Sequence, residues 1–450
     1  LHTAMWALKA KDGKTFEPFS LGLINADDIR ALETSLDFLL WVRNDLHFAA
    51  GRKADQLTFD NQERIAGLLG FQNTEKSLAV EAFMQRYYRH ASNLNYYSNL
   101  ITSRAIHRDT KKSLWPGKKI RVDKNFQITD GVLSAKTKHT VKDDPVAAMK
   151  AFEYSQAFEV DIDQATKDQI LEHMENAPES FRNSRDASDS FFKILRGKSV
   201  YKTLAEMARL RFLDSYIPEF EEISCKVQHD MYHVYTVDAH TLFAVREIER
   251  LRGPYKADFS LLSNLFEEMP NPEILYLSVL FHDIGKAHGK GHAEKGAAMV
   301  PEICRRLHLA EDDANLIRFV VKHHLLLANT AQYRDLHDDK LVIEFARTIG
   351  DIERLNLLYL LTFADVRAVG PDVWSQWKGA LFQELYFKAL TVLERGTFEA
   401  EEAAVKLKRI KERVAALLKP DGVDGHTVDD YFDLLPMRYF LSNSPDHIAG

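Results

Sequence analysis

Cysteine is almost missing from this sequence: Cys225 and Cys304 are the only two in 450 residues, and they form no Cys-x-x-Cys pair. A disulfide framework is thereby excluded, and free thiols in a reducing compartment are expected. No apolar run approaches the roughly 18 residues that cross a bilayer, so no spanning helix is expected. An excess of positive charge is lacking too. The net charge of −7 and pI near 6.2 argue against a general binder of nucleic acid or anionic membranes. The start, Leu1-His2-Thr3-Ala4, has neither an initiator Met nor a signal-peptide layout, so a cytoplasmic section of a longer product is expected. What remains is ample for a core. Apolar residues make up 45% and aromatics 11%, and the length suits two to four domains at roughly 150 residues each.

The most informative stretch runs from Leu280 to Ala297. An apolar segment, Ile274 to Phe281, delivers His282 and Asp283 side by side, Gly285 loosens the backbone, and a basic glycine-rich loop leads to His292. Adjacent imidazole and carboxylate groups suit a divalent ion, because N and O donors then bind from one turn. A buried His with an Asp cap at a helix end is the plainer alternative. Upstream, His233, Asp238 and His240 lie in a segment with helical apolar spacing through Val237, Leu242 and Val245. Downstream come Val320-Val321-Lys322-His323-His324 and, after another apolar helix, Ala364-Asp365-Val366-Arg367.

This order of His, His-Asp, His, His and Asp on successive apolar helices resembles the HD-domain metal-dependent phosphohydrolases, over roughly residues 223–390. The resemblance implies that His240, His282, Asp283 and Asp365 bind one metal, and that His292 and His324 serve a second metal or the phosphate. Asp283, Lys286 and His292 are then the catalytic groups. Lys286 would neutralise phosphate charge, although a solvated loop lysine is its ordinary reading, and His292 is a candidate proton donor to the leaving oxygen. His233 and Asp238 are expected behind the ligands or facing substrate, and His288 in solvent. His323 competes with His324 for the ligand position. Mn²⁺ and Mg²⁺ lead as the metal, and Fe²⁺ and Zn²⁺ also fit these donors.

A second set of blocks covers nearly the whole chain. It comprises Leu40-Trp41-Val42-Arg43-Asn44, Gly51-Arg52, Asp55, Glu81-Ala82-Phe83-Met84-Gln85-Arg86-Tyr87-Tyr88, Asn125-Phe126-Gln127, Tyr216-Ile217-Pro218-Glu219-Phe220 and Thr330-Ala331-Gln332. Together they resemble the bifunctional uridylyltransferase/uridylyl-removing family that modifies the nitrogen-signalling protein PII. That family's transferase core carries a Gly-rich turn followed by paired Asp residues, and no such pattern occurs near Leu1. Its glutamine-sensing ACT pair is not found before Gly450 either. Transferase activity is therefore not expected of this chain alone.

The expected fold is all-α, as helical bundles around an HD-type hydrolase, with a minor β element around residues 118–142. Helices are expected from residue 29 to 43, 61 to 69 and from about 74, and again from Pro145 to Pro218; Glu399 to Leu418 reads as an amphipathic docking or linker helix. The domain plan is a helical transferase-like region at 1–220, the HD hydrolase at 221–390, and a helix and linker at 391–450. The resemblance implies metal-dependent hydrolysis of UMP from a uridylylated tyrosine of PII, with no nucleic-acid or membrane partner. Two rivals stand beside it: an HD phosphohydrolase of free nucleotides or cyclic dinucleotides, and a non-catalytic regulatory scaffold.

Overall fold

A computed structural model describes residues 26–107, 119–174, 177–228, 235–370, 373–395 and 397–418, with a few single positions beyond. These fall into two compact units. One holds the chain up to Leu325 together with Leu360–Ser375; the other holds Leu326–Tyr359 and the chain from Gln376. Among the described residues no helix is long and apolar enough to cross a membrane.

The first unit begins with three helices, Ala26–Ala50, Phe59–Leu68 and Ala79–His107. They bury Val42, Leu46, Ile65, Ala66, Val80, Phe83 and Met84 against one another. The first helix runs past the expected Arg43 to Ala50 and stops where Gly51 takes φ +61°. The third starts later than expected, because residues 73–78 form a capping turn. Asn73 accepts from the Ala79 N–H at 2.8 Å and Glu81 reaches back to the Leu78 N–H at 3.0 Å.

A four-stranded sheet follows, with strands Lys119–Arg121 (β1), Phe126–Thr129 (β2), Val132–Ala135 (β3) and Asp161–Ile162 (β4) in the order β1-β2-β3-β4. The first three pair antiparallel, with Ile128 opposite Leu133; β4 joins β3 in parallel. Asp123 fixes the first turn by accepting from the Asn125 and Phe126 N–H groups, each at 2.7 Å. Phe126, Ile128 and Leu133 point inward.

Helices then dominate. Pro218 opens the short helix Pro218–Ile223, at a position where its missing N–H costs nothing. The elements that matter for the site are Val237–Arg250, Pro272–Phe281, the 3-10 turn Ile284–His288, His292–Arg306, Glu311–His323 and the end of Ile352–Val369. Every residue from Glu273 to Phe281 is buried. An all-round apolar helix of this kind sits inside the unit rather than on it. The helix expected at Glu399–Leu418 spans Thr397–Leu418, and Ile410 and Val414 bury against Val428, Phe432 and Ile448.

A candidate metal centre

Five elements of the first unit converge on one cluster. His282 follows directly on the buried Pro272–Phe281 helix, and its Nδ1 contacts the Val279 carbonyl at 2.7 Å. His324 repeats the device after Glu311–His323, with Nδ1 2.7 Å from the Val321 carbonyl. In both rings the carbonyl takes the Nδ1 proton, so Nε2 is the atom turned towards the cluster. His240 comes from the first turn of Val237–Arg250, and Asp365 from Ile352–Val369; His240 Nε2 lies 2.9 Å from Asp365 Oδ1.

Glycine makes the loop between Asp283 and His292 possible. A side chain at Gly285 would lie 2.1 Å from the His292 carbonyl oxygen and 2.5 Å from the Gly296 nitrogen. Gly291, at φ +73°, then turns the chain into the helix that His292 opens.

The donors form two triads, each with ligand atoms within 4.8 Å of one another: His240, His282 and Asp365, and Asp283, His292 and His324. Asp283 stands between them. Its Oδ2 lies 3.3 Å from His282 Nε2 and 3.9 Å from His240 Nε2, while Oδ1 lies 3.5 Å from His292 Nε2 and 3.8 Å from His324 Nε2. Asp283 Oδ2 thus faces His240 and His282, beside which Asp283 was expected, while its Oδ1 also faces His292 and His324. Its two oxygens face opposite ways.

The electrostatics are those of a site that needs positive charge. Burial opposes ionisation of Asp283, but Lys286 and His282 outweigh it and hold the carboxyl well below the usual range. Asp365 is likewise held low against its own burial by His240 and His282. Burial also disfavours a charged His282, yet the two carboxylates push it up to about 10. His324, buried and next to His282, falls to about 4, and burial lowers His292. His282 Nε2 is buried with no hydrogen-bond partner, since the nearby carboxylate oxygens lie at ionic rather than hydrogen-bonding geometry. An orphaned imidazole nitrogen between two carboxylates is a fit for a cation, and the N/O donor set suits a divalent one.

The remaining residues fall less tidily. Lys286 is nearly buried and places Nζ 2.6 Å from Asp283 Oδ2. Its partner in the fold is therefore the carboxylate and not bulk solvent. His324 is buried at the cluster, whereas the half-buried His323 lies against Phe319, ring centroids 4.6 Å apart. Asp238 belongs to neither triad; its acid is raised by burial, and one oxygen is buried without a partner. His233 lies outside the described residues. His288 is not in free solvent, because its Nε2 lies 3.1 Å from Glu222.

Sequence reading missed a second polar group beneath the cluster. Glu247, two turns beyond His240, accepts from Arg367 Nε at 3.1 Å, from Tyr255 at 2.9 Å and from Arg250 at 3.1 Å. Arg367, two residues after Asp365, also donates to Tyr255 at 2.9 Å. Only the spacing of Glu247 from His240 and of Arg367 from Asp365 could have hinted at it.

Three family models match separate stretches: the GlnD PII-uridylyltransferase model at residues 2–101, the uridylyltransferase GlnD third domain at 126–216, and the HD domain at 257–355. The HD match contains His282, Asp283, Lys286, His292 and His324; His240 and Asp365 flank it. A bifunctional uridylyltransferase/uridylyl-removing enzyme of Pseudomonas savastanoi is 33% identical over 462 residues, covering 100% of this chain and 50% of the relative. The enzyme of the same name from Azotobacter vinelandii is 32% identical over 459 residues, with 100% and 50% covered. The chain thus spans about half the length of the curated relatives it matches. Among solved structures, a Thermotoga maritima CCA-adding enzyme complexed with tRNA matches at TM-score 0.38 and 16% identity, over 58% of this chain and 52% of that one. A likeness that slight bears on neither fold nor activity.

Proposed function

Since this chain belongs to the bifunctional uridylyltransferase/uridylyl-removing family, of whose members it spans about half, we propose that it carries the uridylyl-removing reaction. The substrate is a PII-type protein bearing UMP on a tyrosine. The observation that carries this reading is the placing of one buried carboxylate, Asp283, between two His/Asp triads.

In this reading His240, His282 and Asp365 would hold one divalent ion and His292 and His324 a second, with Asp283 available to both. When bound, such ions supply a hydroxide-like nucleophile near neutral pH and charge to steady the phosphoryl oxygens. The HD domain implies a divalent metal; Mn²⁺ or Mg²⁺ is proposed here.

The chain's own residues do the rest. The Val279 and Val321 carbonyls hold the His282 and His324 rings in one tautomer and one orientation. Lys286 neutralises Asp283 and brings a cation to the edge of the site, where it offsets charge building on the phosphoryl group. His292, whose side chain is 23% exposed, is the imidazole of its triad nearest solvent and borders the space for substrate. Water attacks phosphorus, the bond from phosphorus to the tyrosyl oxygen breaks, and UMP and unmodified tyrosine leave. A phenolic leaving group with a pKa of about 10 departs more readily than an alkoxide.

The test is UMP release from uridylylated PII by this chain, with Mn²⁺ and with chelator, beside Asp283→Ala. Metal-dependent release that the substitution abolishes is expected. A folded, metal-loaded chain that releases no UMP overturns the reading.

A further inference from the structure

The loop that carries Asp283 and Lys286 to His292 has a second side. Its outer residues, His288 and Lys290, join Lys295 and Met299 of the following helix and Lys76 of the N-terminal block around an open cavity of about 630 Å³. The cavity is built on fixed backbone. Gly289 has φ +81°, and a Cβ there would lie 2.9 Å from the Glu75 carbonyl oxygen, so the loop rests directly on the 73–78 turn. Thr74 holds that turn by accepting from the Lys76 and Ser77 N–H groups at 3.3 and 3.1 Å. Lys295 donates to the His288 carbonyl at 2.6 Å and ties the loop to the helix.

Charge is unbalanced here. Three lysines face one lining carboxylate, Glu75, and among the described residues no ion pair involves Lys76, Lys290 or Lys295. His288 is paired with Glu222. The chain as a whole has the opposite bias, with 66 acidic against 59 basic residues. The net negative charge of the chain disfavours an acidic partner in general, whereas this local excess of lysines attracts one. The cavity is too open to enclose a small cofactor, and it lies on the same loop as the cluster.

We propose that this lysine-lined cavity is the docking site for an acidic segment of the uridylylated protein substrate, close to its modified tyrosine. The proposal rests on the function proposed above. It gives the hydrolase selectivity for a protein-borne phosphodiester. The modified tyrosine enters the cluster while neighbouring carboxylates engage Lys76 and Lys290, so the 73–78 turn is part of the substrate surface.

The experiment uses the full chain and the double variant Lys76→Glu/Lys290→Glu, with Lys76→Gln/Lys290→Gln as a milder second. Association with uridylylated PII is measured at low and high salt, together with kcat and KM for it. Bis(p-nitrophenyl) phosphate serves as a substrate without a protein part. Charge reversal is expected to slow association and raise KM roughly tenfold at low salt, with kcat held within about twofold. The gap should shrink at high salt, and the Gln pair should fall in between. Turnover of bis(p-nitrophenyl) phosphate should not change. Association and KM unaltered by charge reversal overturn the docking site. An equal loss on bis(p-nitrophenyl) phosphate, or weakened inhibition by free UMP, assigns the lysines to the nucleotide and overturns it as well. If the unsubstituted chain binds uridylylated PII without hydrolysing it, the hydrolase reading fails, while the association rates still decide the docking site.

Discussion

At the scale of single residues, Asp283 and Gly285 decide the site by different means. Asp283 lies within 4 Å of imidazoles on both sides of the cluster, His240 and His282 on one and His292 and His324 on the other, so Asp283→Asn should cost more than loss of either outer ligand. Metal analysis after gel filtration is expected to show both ions lost from Asp283→Asn but only one from His324→Ala, with turnover lowered by at least about 100-fold in the first. Retention of a full metal complement by Asp283→Asn would remove the bridging role. Gly285 acts through space alone. A methyl group 2.1 Å from the His292 carbonyl oxygen cannot fit without moving backbone, so Gly285→Ala should destabilise by about 3 kcal/mol. Gly253→Ala, whose nearest neighbour would lie 4.0 Å away, should stay within about 0.5 kcal/mol. Denaturant melts of the pair test steric exclusion against mere loss of flexibility. A third residue gives a pH signature. Burial and the nearby Asp238 and Glu221 raise Asp214 to about 6, against help from Ser224 and Arg211. A folded pKa above the unfolded value means the native state binds the proton more tightly, so this group's share of stability falls as pH rises from about 4 to 6. Asp214→Asn, which can still accept from Ser224, should therefore stabilise by roughly 2 kcal/mol above pH 6 and by nothing near pH 4. A gain equal at both pH values would exclude the titration as its cause.

At the scale of elements, the helices that carry His240 and Asp365 are tied together twice. His240 meets Asp365 directly, and two turns away Glu247, Arg367 and Tyr255 join the same two helices beneath the cluster. Glu247 is buried, so removing it leaves Arg250 and Arg367 without their carboxylate partner, with only the Tyr255 hydroxyl to accept. Glu247→Ala should cost about 3 kcal/mol, more than a surface pair ever does. Adding Arg367→Ala should cost less than the separate losses sum to, because both break one network. Additive losses in urea melts would show two independent contacts instead. This network also marks where sequence reading stops. His282-Asp283 and His323-His324 stand out in the sequence because each follows an apolar run that must be buried. Helix phase then separates the two histidines: His324 follows the buried Val320 and Val321 on one face, and His323 turns to Phe319. Glu247 and Arg367 carry no such mark, since a charged residue on a helix reads as solvated until its distant partner is known. The same holds for β4, whose two residues are a strand only because β3 lies alongside, and for His288, whose partner Glu222 sits on another helix.

At the scale of the whole molecule, the chain falls into two compact units, and the six residues of the cluster all belong to the first. The second unit has its own packing, with Tyr359 stacked on Tyr386 at 4.7 Å and Tyr386 bonded to Asn356 at 2.9 Å. Heating is therefore expected to give two transitions, of which only one answers to metal. A ligand that binds only the folded site stabilises it by RT ln(1 + [L]/Kd), about 2.7 kcal/mol at a hundredfold excess over Kd. For a unit of this size that is an upward shift of a few degrees. Chelator should reverse the shift, and Asp283→Asn should abolish it while leaving the other transition in place. Calorimetry with and without Mn²⁺ decides the matter. Equal shifts in both transitions would mean that the ion binds outside the cluster, and a shift that persists in Asp283→Asn would mean that the two triads do not depend on their shared carboxylate.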